Sequence, residues 1–211
     1  ADPSRGFTAN QPVSTESMTM ATVRWHTMMS LDGFIAGPGD SMQWIFDVDG
    51  GSGQTAAEIL RATGALLVGR RTQDVEDRVQ SGFYGGSFRG PFFVLRHNPP
   101  VAAPIVKGVT GRFLDTTIHE AVRIAREAAG GLDVNVLGAN VASQCLDAGL
   151  LDEIVVHIAP VLLGGGVRLF EHPTGTPVKL RPIVSTMEGE TTVLRYAVNS
   201  DSPAAIDRAA V

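Results

Sequence analysis

Residues 65–79 read Ala65-Leu66-Leu67-Val68-Gly69-Arg70-Arg71-Thr72-Gln73-Asp74-Val75-Glu76-Asp77-Arg78-Val79, and this stretch sets the fold class. An unbroken aliphatic run bounded by glycine fits a strand buried on both faces, because a strand with one wet face would alternate with polar residues. Thr72 to Val79 then reads as a helix, with the Thr72 hydroxyl near its cap. A buried strand that turns through one glycine into a helix belongs to an α/β protein.

The alternation continues on both sides. Upstream, Val23 to Met29 reads as a first strand and Ala56 to Arg61 as a short helix. Downstream come strands at Phe92 to Leu95 and Gly111 to Leu114, then a helix from Ile118 to Ala129 with Ala121, Ile124, Ala125 and Ala128 on its apolar face. Asp133 to Leu137 is a strand ending at Gly138, followed by a helix from Asn140 to Ala148 that Gly149 terminates. Glu153 to Ile158 is the next strand. Two alternating runs, Val178 to Met187 and Thr191 to Asn199, flank Glu188-Gly189-Glu190 and read as a hairpin. The expectation is one α/β domain over residues 22–199, its sheet mixed and mainly parallel, ending in an antiparallel hairpin. Residues 1–21 form an N-terminal extension and 200–211 a tail.

Composition narrows the function classes. The chain has 211 residues, 44% of them hydrophobic, with 17 Lys+Arg against 22 Asp+Glu and a net charge of −5. No basic run exists to meet a polyanion, so a general nucleic-acid binder is excluded. No apolar run approaches the roughly 18 residues of a membrane helix, and no signal peptide is visible. With Cys145 as its single cysteine, the chain has no disulfide to staple it, and a cytoplasmic protein is expected. The phosphate loop of nucleotide kinases, the Gly-x-Ser-x-Gly elbow and zinc-type Cys or His pairs are all missing. His26, His97, His119, His157 and His172 are scattered, so no metal site is expected. Gly51-Ser52-Gly53-Gln54-Thr55-Ala56 fits the dinucleotide fingerprint formally, but no strand-like run precedes it and Arg71 stands where the ribose-binding acid belongs.

The turn Val68-Gly69-Arg70-Arg71-Thr72 is more informative. Free N–H groups at a helix start, the helix dipole and two cations together suit a phosphate. Leu137-Gly138-Ala139-Asn140-Val141 is a second strand–glycine–helix turn, and Arg96-His97 is a third cationic strand end. Three such ends suit a ligand with separated phosphates.

Three segments in this order resemble a known family. They are Met28-Met29-Ser30-Leu31-Asp32-Gly33-Phe34-Ile35-Ala36-Gly37, the Gly69-Arg70-Arg71-Thr72 turn, and His157-Ile158-Ala159-Pro160-Val161-Leu162-Leu163-Gly164-Gly165-Gly166. Over about residues 23–199 the chain resembles the riboflavin-biosynthesis reductases, the C-terminal domain of bifunctional deaminase-reductases, which share the dihydrofolate reductase fold. The resemblance implies a three-layer αβα sandwich, an NADPH-dependent reductase and a homodimer. It implies that Gly69, Arg70, Arg71 and Thr72 hold cofactor phosphates, with Arg96 and His97 near the adenosine 2′-phosphate. Gly138, Ala139, Asn140 and Val141 would line the pyrophosphate, and the nicotinamide would lie beside Met28 and the Leu162, Leu163, Gly164 segment. Ser30 and Asp32 would border the substrate.

In hydride transfer the cofactor carries the reactive hydrogen, and the protein positions two rings and excludes water. Asp32 is the candidate catalytic acid, although Asp before Gly is also an ordinary turn former. The zinc-ligand motifs of the deaminase half are absent, and Trp25-His26-Thr27-Met28-Met29 lacks the lysine that riboflavin-pathway members often carry there. A stand-alone reductase of a pterin-like, pyrimidine-like or other conjugated heterocycle is therefore expected, of the 5-amino-6-(5-phosphoribosylamino)uracil reductase type or a relative of it. Folate is a lesser alternative: Trp44 and Asp49 are spaced like a folate-binding carboxylate, but glycines follow at once. A non-catalytic nucleotide sensor and a flavin- or deazaflavin-dependent reductase on the same fold stay open.

Overall fold

The structure, a computed structural model, describes residues 21–48, 53–171 and 177–198. Residues 1–20 of the extension, the tail, Asp49, Gly51 and Ser52 of the Gly51–Ala56 motif, and His172 lie outside the described residues. The strands are β1 (Val23–Ser30), β2 (Phe34–Ala36), β3 (Thr63–Gly69), β4 (Phe92–Leu95), β5 (Ile105–Val106), β6 (Val109–Thr110), β7 (Arg112–Leu114), β8 (Asp133–Leu137), β9 (Glu153–Ala159), β10 (Val167–Arg168), β11 (Arg181–Glu188) and β12 (Thr191–Ala197). The helices are α1 (Gln54–Ala62), α2 (Arg70–Val79), α3 (Ile118–Ala128) and α4 (Ala139–Asp147).

Eight strands form one sheet in the order β11-β12-β9-β1-β8-β3-β4-β7. From β9 to β7 every neighbouring pair is parallel, whereas β12 is antiparallel to β9 and β11 to β12. This is the mixed, mainly parallel sheet with a terminal hairpin that the alternation predicts. Right-handed crossovers put α1 and α2 on one face and α3 and α4 on the other. The core agrees: Ala121, Ala125, Val141 and Cys145 pack with Val23, Trp25, Leu67, Val134 and Val136, while Ile59 of α1 packs on the opposite face with Val155 and Val193. Three layers result.

Several local readings are corrected. Helix α2 starts at Arg70, with Gly69 as its cap residue, so Thr72 lies inside the first turn. Its hydroxyl points to the Leu137 carbonyl at 3.5 Å instead. On α3 the buried residues are Ala121, Val122 and Ala125, and Ala128 is exposed. The chain after that helix turns inward through Ala129, which takes the place expected of Ala128. Strand β11 begins at Arg181 rather than Val178. The pairs β2·β10 and β5·β6 escape sequence reading because two or three residues are too short to show a period. Among the described residues no helix is long and apolar enough to cross a membrane.

Candidate active site

Strands β3 and β8 are neighbours, yet the chain leaves β3 into α2 on one face and β8 into α4 on the other. Such a divergence opens a crevice at the carboxyl ends of a parallel sheet. Here the two turns touch. Gly138 has φ +94°, and a Cβ there would lie 2.5 Å from Thr72 Oγ1, while a Cβ on Gly69 would lie 3.1 Å from Val141 Cγ2. Neither helix start has a side-chain cap, so its first N–H groups are free for an anion.

A cavity of about 1180 Å³ runs from this point along the sheet, more than the roughly 300–1,000 Å³ usual for one small ligand. Met28, Gly69, Arg70, Arg71, Thr72, Arg96, His97, Gly138, Ala139, Asn140 and Val141 all line it. The cations differ. Arg71 is held by Asp40, Nη2 and Nε lying 2.6 and 2.7 Å from Oδ1. Arg70 faces Asp74 at 3.4 Å on the surface, and His97 faces Asp115 at 3.0 Å. Arg96 lies over the Phe113 ring, its buried Nε without a partner and no carboxylate paired with it among the described residues. Of the strand-end cations Arg70, Arg71, Arg96 and His97, it is the one without a carboxylate partner among the described residues.

The other end is built from residues that sequence reasoning passed over. His157 of β9, His26 of β1, Asn135 of β8 and Thr63 of β3 lie on adjacent strands, and Tyr84 comes from the 3-10 turn Phe83–Gly86. His26 and His157 are 8% and 2% exposed, and both line the cavity. Their Nε2 atoms lie 3.0 Å apart, and Tyr84 Oη is 2.9 Å from His26 Nδ1. Burial, then the facing His157, holds His26 well below the usual imidazole range. Burial lowers His157 too, against the raising influence of Glu188. The pair is neutral at pH 7. Burial likewise pushes the Tyr84 phenol up.

Asp32 does not line the cavity. Its carboxylate accepts from Ser30 Oγ at 2.6 Å, Leu163 N at 3.1 Å and Gly164 N at 2.7 Å. The Ser30 hydroxyl, with the Gly164 and Leu163 amides, holds it down to about 2. Ser30 is itself fully buried and accepts from Phe34 N at 3.0 Å. Leu163 and Gly164 therefore meet Asp32 and Leu162 is exposed to solvent; none of the three lines the cavity, which takes Gly166, Val167 and Arg168 from the residues that follow. Trp44 is buried beside the cavity, and Met42, Ile45 and Phe46 around it form the wall. Among the described residues no group of three His, Cys, Asp or Glu side chains is placed to hold a metal.

A doubly covered mixed sheet of this order, open at its switch point, defines an α/β protein of the dihydrofolate-reductase-like class. The chain belongs to the RibD C-terminal domain family, whose model matches residues 21–194. Similar solved structures include a protein from Shewanella sp. PV-4 described as a riboflavin biosynthesis protein, at 22% identity and a TM-score of 0.72, covering 84% of this chain and 99% of that one. A diaminohydroxyphosphoribosylaminopyrimidine deaminase/5-amino-6-(5-phosphoribosylamino)uracil reductase from Thermotoga maritima matches at 15% identity and 0.64, covering 85% of this chain and 57% of that one. Dihydrofolate reductase from Enterococcus faecalis, complexed with NADP(H), matches at 16% identity and 0.50, covering 86% and 98%. This chain thus spans little more than half of the two-function Thermotoga protein. No curated protein matches the sequence.

Proposed function

We propose that this chain is an NADPH-dependent reductase of a conjugated heterocycle, pterin-like or pyrimidine-like. The carrying observation is the contact of the Gly69 and Gly138 turns at the switch point, with Arg96 beside them. A Cβ at either glycine would press on Thr72 or Val141 of the other helix, so the two glycines let two uncapped helix starts lie side by side, an arrangement that fits the two phosphates of a dinucleotide. The first-turn amides of α2 and α4 would hold the pyrophosphate, and Arg96, supported by Phe113, the 2′-phosphate. When bound, the cofactor supplies the hydride. The protein's own part is positional: Met28 of β1 and the apolar side chains Met42, Ile45, Phe46 and Ala56 line the part of the cavity where two rings would be held face to face. Asp32 serves as a positioning residue, fastening the end of β1 to the glycine-rich loop before β10. A ligand that carries two phosphates and is read by free amides also fits a flavin or deazaflavin dinucleotide, so the cofactor test needs both arms.

The test is thermal-shift titration with NADPH, NADH, FAD and a deazaflavin. Stabilisation by NADPH, stronger than by NADH, supports the reading; stabilisation by a flavin alone moves the chain to the flavin class, and none by any of them leaves the sensor reading. A homodimer belongs to the same proposal, because the edge strand β11 exposes Ile183, Val184 and Met187. Sedimentation showing a strict monomer at micromolar concentration removes it.

A further inference from the structure

The hydrogen bonds across the floor of the cavity run in one direction. Thr63 Oγ1 donates its single proton to the Ile59 carbonyl at 2.7 Å, so toward Asn135 it accepts. The Asn135 amide donates through Nδ2 to Thr63 Oγ1 at 2.6 Å and to Tyr84 Oη at 3.1 Å. Tyr84, accepting there, has its own proton left for His26 Nδ1. His26 then carries its ring proton on Nε2 and donates it to His157 Nε2. A neutral imidazole that accepts at Nε2 holds its proton at Nδ1. In His157 that N–H is buried and has no partner among the described residues. Glu188 acts on His157 electrostatically but makes no hydrogen bond to it; its Oε1 accepts from Thr55 N at 3.0 Å and Thr55 Oγ1 at 2.6 Å, and its buried Oε2 has no partner among the described residues.

A buried donor without an acceptor needs a reason. Here the surroundings are arranged to keep it. Tyr84 sits at φ +54°, in the left-handed region that a bulky residue rarely adopts, between Gly82 and Gly85, which also have positive φ. Such strain persists where the fold over-determines a position. Met28 is the sheet neighbour of His157 on the cavity side, and the opposite wall is apolar.

Resting on the reductase reading, we propose that His157 Nδ1–H is the specificity-determining donor of the substrate end. It takes a planar heterocycle through a ring nitrogen or carbonyl oxygen, and the chain from Thr63 to His26 fixes the tautomer that makes this possible. A site built around a fixed donor rejects analogues that lack the acceptor, since they would leave the N–H unpaired. Asp32 has no part in this contact.

The probe is 5,6-diaminouracil, titrated into the full chain with and without NADPH. His157→Gln keeps an acceptor for His26 Nε2–H but removes the donor at Nδ1, and about ten-fold weaker probe binding is expected with NADPH binding unchanged. His157→Asn returns an amide N–H to the Nδ1 position and recovers part of the affinity. Nitrogen-15 spectra of wild-type protein supply a measurement independent of any variant's folding: His157 should show an Nδ1–H tautomer, and its resonance should move on adding the probe. An Nε2–H tautomer, unchanged probe affinity in a folded His157→Gln, or no probe binding by wild type overturns the proposal. Loss of NADPH binding by wild type, with the tautomer and probe response intact, overturns the reductase reading alone.

Discussion

At the switch-point end of the cavity, Gly69 ends its strand and Gly138 and Arg96 directly follow theirs, each glycine adjoining the helix-start amides that complete its role. At the floor, Thr63, Tyr84, Asn135, His26 and His157 come from five segments, and the two histidines that meet are 131 positions apart. The first end is charged, open and made of backbone; the second is neutral, buried and made of side chains. A charged polyphosphate is met by amides and guanidinium, whereas a neutral ring must be read by a few hydrogen bonds in an apolar setting. The two ends fit the two partners of a hydride transfer.

The largest expected effect breaks the charged end. Gly138→Ala forces a side chain into φ +94° and toward Thr72 Oγ1, which should cost about 1–3 kcal/mol of stability from the backbone alone. NADPH binding should fall by roughly a hundred-fold through displaced amide contacts. Thermal unfolding and cofactor titration read the two losses separately. If NADPH binding survived, the paired glycine turns would not be its cradle.

Arg96→Ala sharpens the comparison within that end. It should weaken NADPH relative to NADH by roughly ten- to hundred-fold, the worth of one or two charge-assisted hydrogen bonds. Arg71→Ala should discriminate less, because Asp40 already holds that guanidinium. Equal losses of both cofactors in Arg96→Ala would place Arg96 on the shared pyrophosphate.

Tyr84→Phe addresses the floor. It leaves an Asn135 N–H and His26 Nδ1 without their partner, which should cost about 1–3 kcal/mol in denaturant unfolding with NADPH affinity unchanged. A matching loss of NADPH affinity would show that the ends are not separable. The floor also has a pH signature. Both histidines are neutral when folded and protonate more readily when unfolded, so stability should decline as pH falls below about 6.5. A flat profile from pH 7 to 5 would contradict the neutral pair.

The smallest effect concerns Asp32. Its carboxyl is held at about 2, below its ordinary value, so its contribution to stability is present at neutral pH and is lost as pH falls from about 4 toward 2. Asp32→Asn should flatten that part of the acid-unfolding curve and change turnover by less than ten-fold. A loss of about 10² or more would restore it to the catalytic list as a general acid.

Asp32 and His157 show how far the residues could be read in order. Both stand in motifs that carry the family resemblance, and Asp32 is the more conspicuous, a carboxylate at the end of the first strand. Its partners, Leu163 and Gly164, lie more than 130 positions away, and their amides hold the carboxylate outside the residues that line the cavity. His157 looked like one of five scattered histidines. What marks it is an Nδ1 without a partner among the described residues, and that follows from partners on other strands.

The sequence by itself determined the α/β class, the strand–glycine–helix turns, the terminal hairpin and the family, because aliphatic runs, glycine and helix starts act over a few residues. Only the tertiary structure decided that the Gly69 and Gly138 turns touch, that Asp40 engages Arg71 while Arg96 has no carboxylate partner among the described residues, and that four adjacent strands carry one polar chain. Sheet order is the physical reason: it sets which residues become neighbours across strands 4.7–4.9 Å apart, and sequence separation carries no record of it.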